Sequence, residues 1–561
     1  MGASTNGDGA GFDYDYLIVG SGFGGSVSAL RLAEKGYRVG VLECGRRYGD
    51  ADHAETAWNM RKYFWAPLLG MRGIIRMTLF KDVFIVSGSG VGGGSLGYAN
   101  TLYRARDSFY GHEQWNGLSD DWGAELKPHY DTAERMLGVT TYDDVGPADE
   151  LLREYAEQIG VADTWGPTRV GVFLGEPGVE VDDPYFGGEG PRRSGCIKCG
   201  SCMVGCRNNA KNNLPKNYLW FAERLGAEVM PERQVTSIRP LGPGDGSGGY
   251  EVVSERSGAW FRKRRRTTTA RSVIVAAGAL GTNRLLRNCK ESGDLPELSE
   301  RLGHLVRTNS ESIMAVTAPD DTRDFAKSIA ITSSIYPQPD THVEVVTYGR
   351  AGDAMGGLYT LMTGEGGPPS RMLQWLLAAV RRPGQLLKVL DPRSWSQRTV
   401  ILLVMQTLDN ALRLVPKEKP FGSGVRLRTE EDPAKPNPRY IPAAADVTRW
   451  MADRIGGVPT GSVTESLFNI PTTAHILGGA VISADASTGV VDDRQRVHGY
   501  ENLMVCDGAA MPANPGVNPS LTITAMTERA MSFIPPREGA EPGHLPEQAR
   551  PASAAAQPAA S

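Results

Sequence analysis

The chain has 561 residues, 40% of them hydrophobic and 22% charged, with a formal net charge of −4. That length holds several domain-sized units, and the near-neutral balance gives no reason to expect a nucleic-acid partner. Apolar runs such as Val400 to Met405 fall far short of the roughly 18 residues that a membrane span needs.

The N-terminus, Met1-Gly-Ala-Ser-Thr-Asn-Gly-Asp8, has neither a basic start nor an apolar core, so no signal peptide is expected. Tyr16 to Val19 then suits a buried parallel strand, followed by Gly20, Gly22 and Gly25 at G-x-G-x-x-G spacing and an Ala/Leu-rich helical pattern. The three glycines serve a tight turn, bare backbone against a pyrophosphate and close helix–strand packing, with the helix start facing the phosphates. A second strand, Arg38 to Leu42, ends in Glu43, placed to bind a ribose hydroxyl. Trp58 to Phe80 mixes aromatic, aliphatic and basic residues; it reads as a half-buried excursion packed on the core, as a lid over an apolar ligand, or as an edge that rests on a lipid surface. Ser87 to Asn100 carries five glycines between Gly88 and Gly94, letting backbone approach a flat or charged ligand.

Residues 151–215 form an insert containing Cys196-Ile-Lys-Cys-Gly-Ser-Cys-Met-Val-Gly-Cys206, with the C-x2-C-x2-C-x3-C run of bacterial ferredoxins. Arg207 stands where those ferredoxins have proline, and a single [4Fe–4S] centre requires Cys206 to fold back or a distant ligand such as Cys289. Three readings stand for Cys196, Cys199, Cys202 and Cys206: a cluster relaying electrons, a zinc or disulfide staple, and free thiols. Seven cysteines in all, an odd number with four crowded together, make no secreted disulfide framework; a reducing cytoplasm is the default setting. Strands are expected near Ala227 to Met230, Val235 to Arg239 and Tyr250 to Glu255, the basic run Arg262 to Arg266 marks a solvated hairpin, and Ser272 to Thr282 repeats the strand–glycine–helix pattern.

From Glu311 to Asn469 the pattern changes. Thr341-His-Val-Glu-Val-Val alternates, so His342 and Glu344 share a strand face. Helical patterns at Leu373 to Val380 and Leu386 to Leu390 break at Pro383-Gly384. The chain returns to nucleotide-domain grammar at Leu503 to Gly508 and Asn514 to Ala525, and the Ala/Pro-rich residues from 535 to 561 read as a disordered tail. The fold class is therefore α/β: a Rossmann-like nucleotide-binding domain over 13–310, a lid-like stretch 51–80 within it, an α+β cap over 311–469, and the nucleotide domain again over 470–534.

Four blocks together, Gly20 to Gly25 with Glu43, Gly88 to Asn100, Ala276 to Thr282, and His475 through Asp507-Gly508 to Asn518-Pro519, resemble the glucose–methanol–choline (GMC) family of FAD-dependent oxidoreductases. Within it the likeness is to the bacterial cholesterol oxidases with non-covalent FAD, particularly the actinobacterial branch with a cysteine-rich insert. The resemblance implies that Gly20, Gly22, Gly25 and Glu43 hold the ADP half of FAD, with Val235 beside the adenine. It implies that Gly92, Gly93, Gly94 and Ser95 pass beneath the isoalloxazine, and that Asp507 and Gly508 contact the ribityl–phosphate region. No histidine lies in the Gly88 to Asn100 loop, which argues against a covalent histidyl-flavin; of the amide that the family often carries there, only Asn100 remains. His475 and Asn518 match the family's catalytic histidine and its partner. Glu344 matches the buried glutamate that moves a proton from C4 to C6 of the steroid, although pairing with a cation is an equally open reading. The implied reaction is oxidation of a 3β-hydroxysterol with oxygen as acceptor; the alternatives are dehydrogenation of another bulky apolar alcohol with electrons passing to a quinone or protein carrier, and sterol or lipid binding without turnover.

Overall fold

The computed structural model describes residues 11–418 and 424–540. The N-terminal segment read for a signal peptide and most of the Ala/Pro-rich tail lie outside them. The first residues after Pro535 are tied down: Tyr37 Oη donates to the Pro535 carbonyl at 3.0 Å, and the Arg537 amide donates to the Lys35 carbonyl at 2.9 Å.

Two seven-stranded sheets organise the molecule. In the first, Glu228–Met230, Val39–Leu42, Tyr14–Val19 and the far half of Arg266–Val275 run parallel, and Leu503–Val505 adds in parallel to Val273–Val275. Inside the edge strand Glu228–Met230, Val39–Leu42, Tyr14–Val19 and Leu503–Val505 are buried on both faces, which is why they read as continuous apolar runs rather than alternating ones. Tyr250–Arg256 and Arg233–Pro240 extend the near half of Arg266–Val275 as an antiparallel meander. The basic run forms the exposed turn of that meander, as its charge requires. Helix Phe23–Glu34 leaves the glycine turn and packs on the sheet and on the last helix, Ser520–Ser532. There Arg31 pairs with Glu528 at 2.7 Å.

The second sheet is antiparallel, in the order Tyr359–Leu361, Val458–Ser462, Ser312–Thr317, Thr399–Gln406, Thr341–Val346, Ile331–Gln338, Gly166–Pro167. Side chains alternate between faces, so Val343, Val345, Val400, Leu402 and Val404 pack beneath helices Pro147–Gln158 and Pro442–Ile455. Val346, Ile401, Leu403 and Met405 point the other way, into a cluster with Tyr63, Ile75 and Leu96 of the first unit. The strand Gly166–Pro167 and the helix Pro147–Gln158 belong to this second sheet, although they precede the cysteine run. The Pro383-Gly384 break separates helices Pro368–Arg381 and Pro383–Leu390.

Candidate active site

The three glycines of the turn do different work. A side chain at Gly25 would strike the Gly20 carbonyl at 2.1 Å, and one at Gly20 would strike the Ala276 carbonyl at 2.2 Å, so both glycines serve backbone packing. Gly22 differs: a Cβ there meets nothing within 4 Å, leaving open space before the helix N-terminus where a pyrophosphate fits. Gly93 lies so close to Gly22 that a Cβ on it would come within 2.6 Å of the Gly22 Cα, which brings the second glycine loop directly over the first. Ser95 is buried, donates to the Gly92 carbonyl at 2.7 Å, and accepts from the Leu214 amide at 3.1 Å. This cradle fits a dinucleotide.

Glu43 is buried, but its carboxylate is already engaged: one oxygen accepts from the Ser21 amide and hydroxyl (3.1 and 2.7 Å), the other from the Gly45 amide at 2.7 Å. It ties the turn to the second strand. Ser21 also receives the Gly92 amide at 3.1 Å, so it links both glycine loops to Glu43. Asp507 caps the short turn Gly508–Ala510, accepting from the Ala509 amide at 2.8 Å and from Thr282 Oγ1 at 2.5 Å; burial pushes its carboxyl up to about 6. Val235 is buried in the core of this unit. Asn100 stands apart from the cradle, in the wall of a cavity between the cysteines.

The three residues expected to carry chemistry converge, although they lie on separate elements. Asn518, just before the last helix, donates from Nδ2 to Oε2 of Glu344 at 3.3 Å. Glu344 projects from Thr341–Val346 and is 0% exposed. No cation pairs with it; burial pushes its carboxyl up to about 8, against the smaller opposing pull of the Asn518 bond and of His475. Its Oε1 and the Asn518 Oδ1 are buried without partners. His475 is bonded through Nδ1 to the carboxylate of Glu311, which is 0% exposed and also accepts from the Ala474 amide at 2.8 Å. Burial works against the imidazolium, but the Glu311 carboxylate outweighs it and raises the His475 pKa. The Nδ1 contact fixes the ring and leaves Nε2 as the nitrogen available to a substrate.

Glu311 was not identifiable as a site residue from sequence; its signal is an acid entering the otherwise apolar strand Ser312–Thr317. The residues before it, Asn309 and Ser310, both adopt left-handed backbone (φ 57° and 47°), and such strain clusters at functional sites. Asn309 Oδ1 accepts from the Gly516 amide at 3.0 Å, and its Nδ2 donates to the Val517 carbonyl at 3.1 Å. One short segment therefore grips His475 with Glu311 and the Asn518 loop with Asn309.

An apolar pocket of about 410 Å³ lies between the 58–77 stretch and the turn Arg350–Leu358, lined by residues such as Trp58, Phe64, Met71, Ile75 and Met355. Strand Ile75–Leu79 on its wall pairs with Phe84–Gly88, which pairs with Thr472–Thr473, two residues before His475. The lid stretch is thus both a core excursion and a pocket wall, with Trp58, Met60, Leu68 and Leu69 left exposed.

All four clustered cysteines are free thiols, as are Cys44, Cys289 and Cys506. Cys289 is buried in the core of the first unit, away from the run. Burial and the neighbouring thiols push Cys196 up to about 12, and burial pushes Cys202 up to about 11. Among the described residues no three His, Cys, Asp or Glu side chains are grouped closely enough for a single metal ion, and no disulfide joins them.

A family model described as FAD dependent oxidoreductase matches residues 15–396, and one described as GMC oxidoreductase matches 389–527. Similar proteins include a cholesterol oxidase of Mycobacterium tuberculosis, 50% identical over 93% of this chain and 91% of its own. A cholesterol oxidase of Acinetobacter baumannii is 46% identical over 94% of this chain and 96% of its own. Among solved structures, an FAD-dependent oxidoreductase from Chaetomium thermophilum shares the fold with a TM-score of 0.57, at 15% identity over 93% of this chain and 98% of that one. Fingerprint, second glycine loop and buried histidine in one fold agree with these likenesses: the chain belongs to the GMC family of FAD-dependent oxidoreductases, enzymes acting on alcohols.

Proposed function

We propose that the protein oxidises a 3β-hydroxysterol to the 3-ketosteroid, with non-covalent FAD, and passes the electrons to oxygen with release of hydrogen peroxide. The observation that carries this reading is the buried set His475–Glu311 and Asn518–Glu344, which a short three-stranded sheet ties to the wall of an apolar pocket. The cholesterol oxidases to which the chain is similar support the substrate class. The absence of histidine from Gly88 to Asn100 supports non-covalent attachment.

Bound FAD supplies the hydride acceptor. The Nε2 of His475 takes the proton of the substrate hydroxyl, while Glu311 holds the ring through Nδ1 and stabilises the imidazolium that forms. Asn518 orients the substrate oxygen with an amide held by Glu344. The Glu344 carboxyl, kept near neutrality by burial, suits reversible transfer of a proton from C4 to C6, converting the 5-en-3-one to its conjugated isomer.

The substrate arrives from a lipid surface. Helices Pro368–Arg381 and Pro383–Leu390 leave Leu373, Leu376, Leu377, Val380, Leu387 and Leu390 exposed, with Arg381, Arg382 and Lys388 beside them. The second helix packs on the Arg350–Leu358 turn that walls the apolar pocket. Such a face suits burial at the headgroup boundary.

The test is anaerobic mixing of the flavin-loaded protein with a panel of 3β-hydroxysterols and long-chain alcohols, followed by oxygen. Sterol should bleach the flavin and oxygen should restore it with one equivalent of peroxide. Bleaching by long-chain alcohols alone, or reoxidation by quinone but not oxygen, would overturn the substrate or the acceptor respectively.

A further inference from the structure

The cysteine run has no part in the alcohol chemistry, yet it is built. Cys196, Cys199, Cys202 and Cys206 all line one small cavity, closed further by Asn100 and Lys211. Cys206 therefore does fold back onto the other three. Lys198, Gly200 and Gly205 take left-handed backbone within the run (φ 54°, 65° and 111°), curling it around the space. The thiols also receive donors: the Lys198 amide reaches Cys196 Sγ at 3.4 Å, and Asn208 Nδ2 reaches Cys199 Sγ at 3.4 Å. Hydrogen bonds of this kind tune cluster sulfurs. The four thiols face one shared space rather than the close tetrahedron of a single ion, the arrangement that cluster ligands take around a cubane.

Charge supplies the second, independent observation. Lys211 is 1% exposed and spends its ammonium on the carbonyls of Leu96, Tyr98 and Cys202, at 2.9, 2.7 and 2.9 Å. Arg193 is 2% exposed and donates to the carbonyls of Asn209 and Ala210, at 3.1 and 2.9 Å, and to the Asn212 amide oxygen. Neither cation pairs with a carboxylate among the described residues. Buried charges are normally paired, because an isolated one forfeits its hydration. The site lacks its anion, and a cluster bound by four thiolates is one.

We propose that Cys196, Cys199, Cys202 and Cys206 hold a cubane iron–sulfur cluster in this cavity, against the buried cations Lys211 and Arg193. The site adjoins the flavin loop: Lys211 bonds the carbonyl of Leu96, the last residue of the turn Gly93–Leu96.

The full chain, loaded with FAD, is reconstituted anaerobically with ferrous iron and sulfide, and its iron, acid-labile sulfide and dithionite-reduced paramagnetic resonance are measured. Dithionite replaces the alcohol, so the outcome is independent of the substrate. About four irons and four sulfides per chain, with a cluster signal at low temperature, are expected. Cys199→Ser and Cys206→Ser should each lose that signal while keeping stoichiometric flavin. Should those variants also lose flavin, the parent's iron, sulfide and resonance decide alone. Stoichiometric zinc in the purified protein, less than one iron per chain after reconstitution, or a signal indifferent to both substitutions would overturn the proposal.

Discussion

His475 and Glu344 both hold a proton more tightly in the fold, one as a charged ring and the other as a neutral acid, and each preference has its own test. Glu311 stabilises the charged imidazole, so Glu311→Gln should lower the His475 pKa and keep the ring basic to lower pH. The acidic limb of kcat/KM for flavin reduction should then move to lower pH, a shift that loss of packing alone would not produce. Removing the base altogether costs a positioned acid–base group ~10²–10⁴-fold in rate, so His475→Ala should slow flavin reduction by that order in stopped flow. Glu344, with a native pKa of about 8, binds its proton more tightly folded than unfolded. Its contribution to stability is therefore present at low pH and lost as pH rises from the ordinary carboxylate range through about 8. Glu344→Gln abolishes that loss, so its Tm relative to the parent should climb between pH 6 and 9. The same variant should still oxidise sterol but release the unconjugated 5-en-3-one, seen by chromatography; conjugated product at the parent rate would exclude Glu344 as the isomerisation base.

At the scale of elements, the two ends of the glycine fingerprint should respond differently to the same substitution. Gly22 faces open space and Gly25 faces the Gly20 carbonyl at 2.1 Å. Gly22→Val should fold with a near-native Tm and retain no flavin; Gly25→Val should lose the helix–strand packing itself, and with it soluble expression. This first unit was legible in the sequence because strand, turn, helix and terminal acid are local, and each leaves a mark within a few residues. Glu43 shows the limit: its position was readable, whereas its engagement with Ser21 and Gly45 needed the folded turn. Glu311 was not legible, since the residue it serves lies 164 positions along the chain and nothing near it announces a histidine. Asn100 shows a similar limit: it sits in the glycine loop by sequence, and only the fold shows that it also lines the cysteine cavity. Glu344 was legible as a strand residue, but only three-dimensional burial distinguishes a lone acid from one paired with a cation.

The whole molecule presents an apolar face beside the pocket mouth, and that face should decide how the enzyme meets its substrate. Replacing Leu373, Leu377 and Leu387 together by Asp removes three large apolar side chains, each worth about 1.5–3 kcal/mol when buried. Flotation with anionic vesicles should fall by more than about tenfold, as should turnover of vesicle-borne sterol. Turnover of detergent-dispersed sterol should hold within about twofold, and equal losses on both would assign the helices to the fold instead. Leu503–Val505 reaches its place beside Val273–Val275 only after the entire second sheet has been synthesised. The nascent chain thus carries an open cradle for most of its time on the ribosome, exposing apolar edges that invite chaperones. A premature stop anywhere before the last helix should yield a colourless, protease-sensitive product rather than a partly working one.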